Sequence, residues 1–217
     1  MGLHCTDPML KVGLTGNMGS GKTVISGIFS ILGIQVYNAD AESKRFLDSE
    51  KVIHELLKHF GYSILTNERT INRRSLASIV FTNENALLVL NSILHPMIMQ
   101  DFMVWSRQYG ATPYVIQEAA ILFESGFRNE FDFVIHVSCP KEIAIERVIK
   151  RDQIDGNSVL KRIHFQMEDK EKAALSDFVI VNDGSTLIIP QVLSVHQKLL
   201  KIGTEGNQDI PSGTADA

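Results

Sequence analysis

Apolar residues in this chain follow two alternating rhythms. Short, largely apolar runs at residues 12–14, 34–37, 114–118, 131–138 and 178–181 read as strands, and the near-continuous apolarity of 131–138 is that of a strand covered on both faces. Between the runs the spacing lengthens to the helical period. Val24, Ile25, Ile28, Phe29, Ile31 and Leu32 make one stripe, stopped by Gly33. Phe46, Leu47, Val52, Ile53, Leu56, Leu57 and Phe60 make another. Strands alternating with helices predict an α/β domain with five strands.

The interval between the second and third strands is too long for one crossover helix. Residues 42–110 read as almost wholly helical, with a polar loop at 66–72, a second block at 73–81 and a third from Glu84 that carries Leu87, Leu88, Leu90, Ile93 and Leu94. Pro96 is expected to break or kink that third helix near His95. The pattern predicts a helical substrate lobe at 42–110 inserted into a core formed by 1–41 and 111–203. A helix at 141–150 follows the fourth strand, and a closing helix runs from about Thr186 to Ile202. From Gly203 onward the chain has no periodicity and little apolar content, so 204–217 is predicted to be a disordered tail.

Composition narrows the function classes. Twenty-one basic against 25 acidic residues give a net charge of −4, which argues against a nucleic-acid binder. The two cysteines, Cys5 and Cys139, are far apart and form no metal-ligand spacing, which fits a reducing, cytoplasmic setting. No segment reads as long enough to span a membrane, and no signal peptide is evident. Met1, Gly2 and Thr6 match the myristoylation pattern, with Cys5 as a second acylation position. Chance explains that match better, because no polybasic patch accompanies it.

The chemistry concentrates where the first strand meets the first helix. Gly16, Asn17, Met18, Gly19, Ser20, Gly21, Lys22 and Thr23 spell G-x-x-x-x-G-K-[ST], the phosphate-binding loop. The glycines let the backbone curl so that successive N–H groups, including that of Ser20, point inward. Lys22 supplies a cation for the β and γ phosphates, and the Thr23 hydroxyl is suited to Mg²⁺. The helix beginning at about Val24 adds its dipole beneath the phosphates.

Other candidates lie at strand ends and on one helix. Asp40 follows the second strand, where α/β proteins bind ligands, and equally suits the N-cap of a helix from Ala41. Arg147 and Arg151, spaced i and i+4, share a helix face within a basic cluster. They are expected on a mobile lid at about 147–172, over a transferring phosphate. The turn from Asn182 to Ser185 is placed to border the adenine.

Several longer segments carry a resemblance to a known family. GLTGNMGSGKT at 13–23, NAD at 38–40, RRSLASIVF at 73–81, LNSILHP at 90–96, AILFE at 120–124, RVIKRD at 147–152, RIHFQ at 162–166 and VIVNDGS at 179–185 resemble, in this order, the dephospho-CoA kinases. The resemblance implies a three-layer P-loop fold with a five-stranded parallel sheet, an inserted helical lobe for the CoA moiety and a helical lid. It implies ATP and Mg²⁺ as co-substrate and cofactor, and phosphorylation of the ribose 3′-hydroxyl of dephospho-CoA. Asp40 matches the family's proposed base. Arg74 and His95 match substrate-lobe positions, Arg147 and Arg151 match the lid, and Glu118 matches an acidic position suited to a water-mediated contact with Mg²⁺. By residue type alone, His95 equally suits a core or capping role and Arg74 a surface cation. Asn38 stands where the family has the first Asp of D-A-D, and Ala120 where it commonly has Pro.

The expected assembly is a monomer or weak homo-oligomer without nucleic-acid or membrane partners. Another small-molecule P-loop kinase and a catalytically silent nucleotide-binding regulator are the alternatives. A GTPase would need an N-K-x-D motif, which the sequence lacks.

Overall fold

The computed structural model describes residues 9–205. Strands β1 (Leu10–Thr15), β2 (Val36–Asn38), β3 (Tyr114–Glu118), β4 (Phe133–Ser138) and β5 (Phe178–Val181) form one parallel sheet in the order β2-β3-β1-β4-β5. The central strand β1 pairs with β3 from Leu10↔Tyr114 and with β4 from Val12↔Phe133. Side chains alternate across the sheet, and each face is apolar, so each needs its own cover.

On one face, Val12, Leu14, Ile116, Ile135 and Ile180 pack with Ile25 and Phe29 of α1 (Lys22–Ile31) and Val192, Val195 and Leu199 of α9 (Ile188–Glu205). On the other, Val115, Ala119 and Val134 join a core with residues of α2 (Ala39–Phe46), α3 (Glu50–Phe60), α4 (Arg73–Val80) and α5 (Glu84–Ser106). Helices α6 (Lys141–Asp152), α7 (Gly156–Ile163) and α8 (Asp169–Leu175) connect β4 to β5. The result is a three-layer α/β architecture.

Four expectations change. Pro96 lies inside α5 and does not end it. Leu94, Ile98, Met99 and Phe102, on both sides of the proline, are buried in one core, and their packing outweighs the roughly 3 kcal/mol that an interior proline costs. Residues Glu84–Tyr109 are long and apolar enough to span a membrane by length and composition, contrary to the sequence reading. The same apolar positions fill the core of the helical layer. The closing helix α9 starts two residues later than expected and runs through Glu205, so residues 204–205 are helical and not tail. The fourth strand begins at Phe133, because Asp132 turns its carboxylate back to accept a hydrogen bond from the Lys11 N–H. The acylation pattern at residues 1–6 and the remaining tail, 206–217, lie outside the described residues.

Candidate active site

Strand β1 delivers the chain into loop 16–21 at the carboxyl edge of the sheet, and α1 leaves it. Gly21 is the N-cap of α1 at φ 94° with no side-chain cap, so the first helical N–H groups stay open to a ligand. A Cβ on Gly21 would stand 2.2 Å from Asn182 Nδ2, and one on Gly19 2.2 Å from the Ala144 carbonyl oxygen. The loop is thus wedged between α6 and the end of β5. Asn182 Nδ2 donates to the Ser20 carbonyl at 2.7 Å, and Arg147 donates to the Asn182 carbonyl at 3.2 Å and to its Oδ1 at 3.4 Å. Asn182, expected beside the adenine, therefore braces the loop from behind, and Arg147 braces Asn182.

Lys22 is buried, and its Nζ donates to the Gly16 carbonyl at 2.9 Å. Burial pulls the ammonium below its ordinary pKa, while the nearby carboxylates of Asp40 and Glu118 raise it again. Thr23 is exposed, and its hydroxyl donates to Glu118 Oε1 at 3.0 Å. Ser26, one turn on, donates to Glu118 Oε2 at 2.8 Å. The C-terminal end of β3 and the first turn of α1 thereby present a hydroxyl and a carboxylate together. That oxygen pair fits Mg²⁺, which takes few protein ligands and keeps several waters. Val24 is exposed beside them and donates its N–H to the Gly21 carbonyl.

Asp40 does not cap α2. Asn38 does, accepting from the Ala41 N–H at 2.8 Å, because β2 passes straight into a helix that begins at Ala39. Asn38 thus has a local structural job that the Asp40 carboxylate does not share. The Asp40 side chain is accessible from the cleft, yet protein surrounds it. Burial pushes its pKa up, Glu118 adds to the rise, and Lys22 and Lys44 oppose it.

Asp40 also lines a cavity of about 510 Å³ between the sheet and the helical layer. Leu90, Leu94, Ile98, Phe127 and Phe131 form much of its wall, with His95, Gln117 and Glu124 among them and Lys44 and Arg162 also on the lining. His95 packs edge-on to Phe127 with ring centroids 5.9 Å apart, and burial lowers its pKa to about 4 although Glu124 opposes this. At neutral pH it is an uncharged imidazole. Arg74 is exposed on α4 and does not line the cavity. Arg151 is exposed on α6 and forms two hydrogen bonds with Asp152, at 2.7 and 2.9 Å.

The residue types singled out from the sequence omit a strut that joins the loop to the cavity. The Met18 N–H donates to Gln166 Oε1 at 2.9 Å, and Asn17 Nδ2 to the Met167 carbonyl at 3.2 Å. The Met167 N–H in turn donates to Glu124 Oε1 at 2.8 Å, and the same carboxylate pairs at 2.8 Å with Lys172, whose side chain is wholly inaccessible. Lys172 also donates to the Ala120 carbonyl at 2.8 Å. The signal was present in the AILFE and RIHFQ segments, which end in Glu124 and Gln166. Among the described residues, no group of three or more His, Cys, Asp or Glu side chains could hold a metal ion.

Comparison with known proteins agrees with this geometry. The dephospho-CoA kinase family model matches residues 10–187. A dephospho-CoA kinase of Bacteroides fragilis is 36% identical over 187 residues, covering 86% of this chain and 91% of that one. That of Pseudoalteromonas translucida is 33% identical over 193 residues, covering 88% and 91%. The solved dephospho-CoA kinase of Campylobacter jejuni superposes with a TM-score of 0.63 at 26% identity, covering 88% of this chain and 97% of its own. A family model that spans most of the chain and relatives at 33–36% identity over nearly their whole length show that the chain belongs to the dephospho-CoA kinase family of ATP-dependent kinases.

Proposed function

We propose that this chain transfers the γ-phosphoryl group of ATP to the ribose 3′-hydroxyl of dephospho-CoA, with Asp40 as the base. One observation carries the assignment of the base: Asp40 and Met18 of the phosphate loop line one and the same cavity. A hydroxyl brought to that carboxylate from the cavity faces the phosphate loop. The new bond joins O3′ to Pγ, the bond from Pγ to the β,γ-bridging oxygen breaks, and the hydroxyl proton passes to Asp40, leaving ADP and CoA.

A ribose hydroxyl is a weak nucleophile and the transition state is loose, so positioning and charge neutralisation supply most of the rate. The raised pKa of Asp40 suits proton acceptance, since a more basic carboxylate takes the proton more readily. Lys22 exchanges the Gly16 carbonyl for phosphate oxygens, and the open N–H groups of the loop cradle them. Thr23, backed by Glu118, would hold Mg²⁺, which when bound neutralises charge between the β and γ phosphates. Arg147 fixes the loop through Asn182, and Arg151 swings from Asp152 toward the transferring group. Arg74, on the outer side of α4, is assigned to the distal part of the acceptor.

The test is ATP-dependent ADP release under saturating Mg²⁺ with dephospho-CoA, adenosine, AMP, CMP or pantetheine as acceptor. Turnover confined to dephospho-CoA, with CoA as product, is expected. A different preferred acceptor would overturn the substrate assignment, and ATP binding without any turnover would favour the silent regulator.

A further inference from the structure

Gln117 is out of place for its surroundings. It sits on β3, paired on both sides within the sheet, and its side chain faces the helical layer between Val115 and Ala119, two members of the apolar core. The residue is only 5% exposed, yet its Oε1 is buried without a hydrogen-bond partner while the side chain lines the cavity. Buried polar groups are nearly always satisfied, and an orphaned acceptor destabilises the fold. An amide at that place, on a lining it shares with Leu94, Ile98 and Phe131, needs a ligand to complete it. A second orphan, Glu124 Oε2, belongs to the same cavity.

The chemistry of the acceptor says which part goes there. This step rests on the reaction proposed above. With the 3′-hydroxyl at Asp40, the base leaves the ribose at C1′ and the pyrophosphate chain leaves at C5′, so the two diverge. Desolvation keeps a pyrophosphate away from the apolar part of the wall around Gln117, whereas the cations Lys44 and Arg162, elsewhere on the same lining, suit it. A flat purine suits the apolar, aromatic wall. An amide side chain presents one acceptor and one donor side by side, which matches the amine and neighbouring ring nitrogen of adenine in a bidentate pair.

We propose that the Gln117 amide reads the adenine of the acceptor nucleotide, making it a specificity-determining residue of the acceptor site. The orphaned Oε1 accepts from the exocyclic amine at N6, and Nε2 donates to N7, an edge at which hypoxanthine presents two acceptors and cannot form the pair.

The experiment compares dephospho-CoA with its hypoxanthine analogue, which replaces the amine by an oxygen, in the wild-type chain and in Gln117→Met. Turnover and binding by calorimetry are measured together. The wild type is expected to favour adenine by about 10- to 100-fold in kcat/KM, the value of one good bidentate pair. Gln117→Met, similar in length but unable to form the pair, should bring adenine down to the level of hypoxanthine with KM for ATP unchanged. Equal use of the two bases by the wild type overturns the proposal, and so does a preference that survives in Gln117→Met. If that variant does not fold, the wild-type comparison decides alone. A binding preference for adenine without any turnover would support Gln117 as the reader while refuting the proposed reaction.

Discussion

Replacing Glu124 by leucine strands a buried ammonium. Lys172 is fully inaccessible, and its charge is met by Glu124 Oε1 at 2.8 Å and by the Ala120 carbonyl. The substitution leaves only the carbonyl and also deprives the Met167 N–H of its acceptor. Breaking a buried ion pair from one side costs about 3–5 kcal/mol. At about 2–4 °C per kcal/mol for a domain of this size, the melting temperature should fall by roughly 6–20 °C. Adding Lys172→Met removes the unmet charge, so the double variant should melt well above the single one, because an apolar pair of similar volume is often neutral relative to the ion pair.

The pH dependence has a definite sign. Burial lowers the Lys172 pKa in the folded chain, and in the single variant only the weaker attraction of Asp169 still opposes that shift. The unfolded state then binds more protons than the folded one, so the stability deficit of Glu124→Leu should shrink as pH rises from about 7 to about 9. Thermal melts followed by circular dichroism, on the wild type, both single variants and the double variant, give the full cycle. A loss under about 3 °C in Glu124→Leu, or a double variant no better than the single one, would refute the claim that this ion pair holds the strut.

Asp40→Asn keeps the shape but not the base, so steady-state kinetics should show kcat lower by about 10²–10⁴ with KM for ATP nearly unchanged. Near-normal turnover would remove Asp40 from the mechanism. Lys22→Ala deletes a contact made in both ground and transition states, so KM for ATP should rise and kcat fall together, and an unmoved KM would mean that the loop holds nucleotide otherwise. Asp183 accepts hydrogen bonds from the N–H groups of Thr186 and Ser185, which hold its carboxyl well below the usual range. Its contribution is complete above the unfolded value of 3.8 and is lost as pH falls through the lower folded value. In acid unfolding, Asp183→Asn should therefore lie below the wild type at neutral pH and converge with it at low pH; a constant gap would contradict this.

The parts of the molecule legible in the sequence are those governed by local rules. Strand β3, from Tyr114 to Glu118, and β5, from Phe178 to Val181, coincide with their apolar runs. The phosphate loop declares itself by spacing. Rules that depend on distant partners failed or stayed silent. Pro96 predicts a break or kink because its cost is local, whereas the packing of Leu94, Met99 and Phe102 that overrides it is not. Asp40 and Asn38 are both good N-caps, and the exact junction of β2 and α2 chose between them. Gln117 sits inside an apolar strand and looks like an ordinary exception until the sheet shows it facing a cavity. Glu124 and Lys172 are 48 positions apart, and no periodicity links them.

The central place of β1 bears on how the chain comes to be folded. Its neighbours are β3 and β4, so Leu10 must wait for Tyr114 and Val12 for Phe133. At about 5–20 residues per second, the roughly hundred intervening residues take about 5–20 seconds to synthesise. The phosphate loop waits longer, since Ala144 walls it and Asn182 holds the Ser20 carbonyl. The phosphate-loop motif at 16–23 thus takes shape only when the chain through Asn182 has emerged. A nascent or truncated chain that ends before Asn182 carries the nucleotide signature without the braced loop that would make it a site.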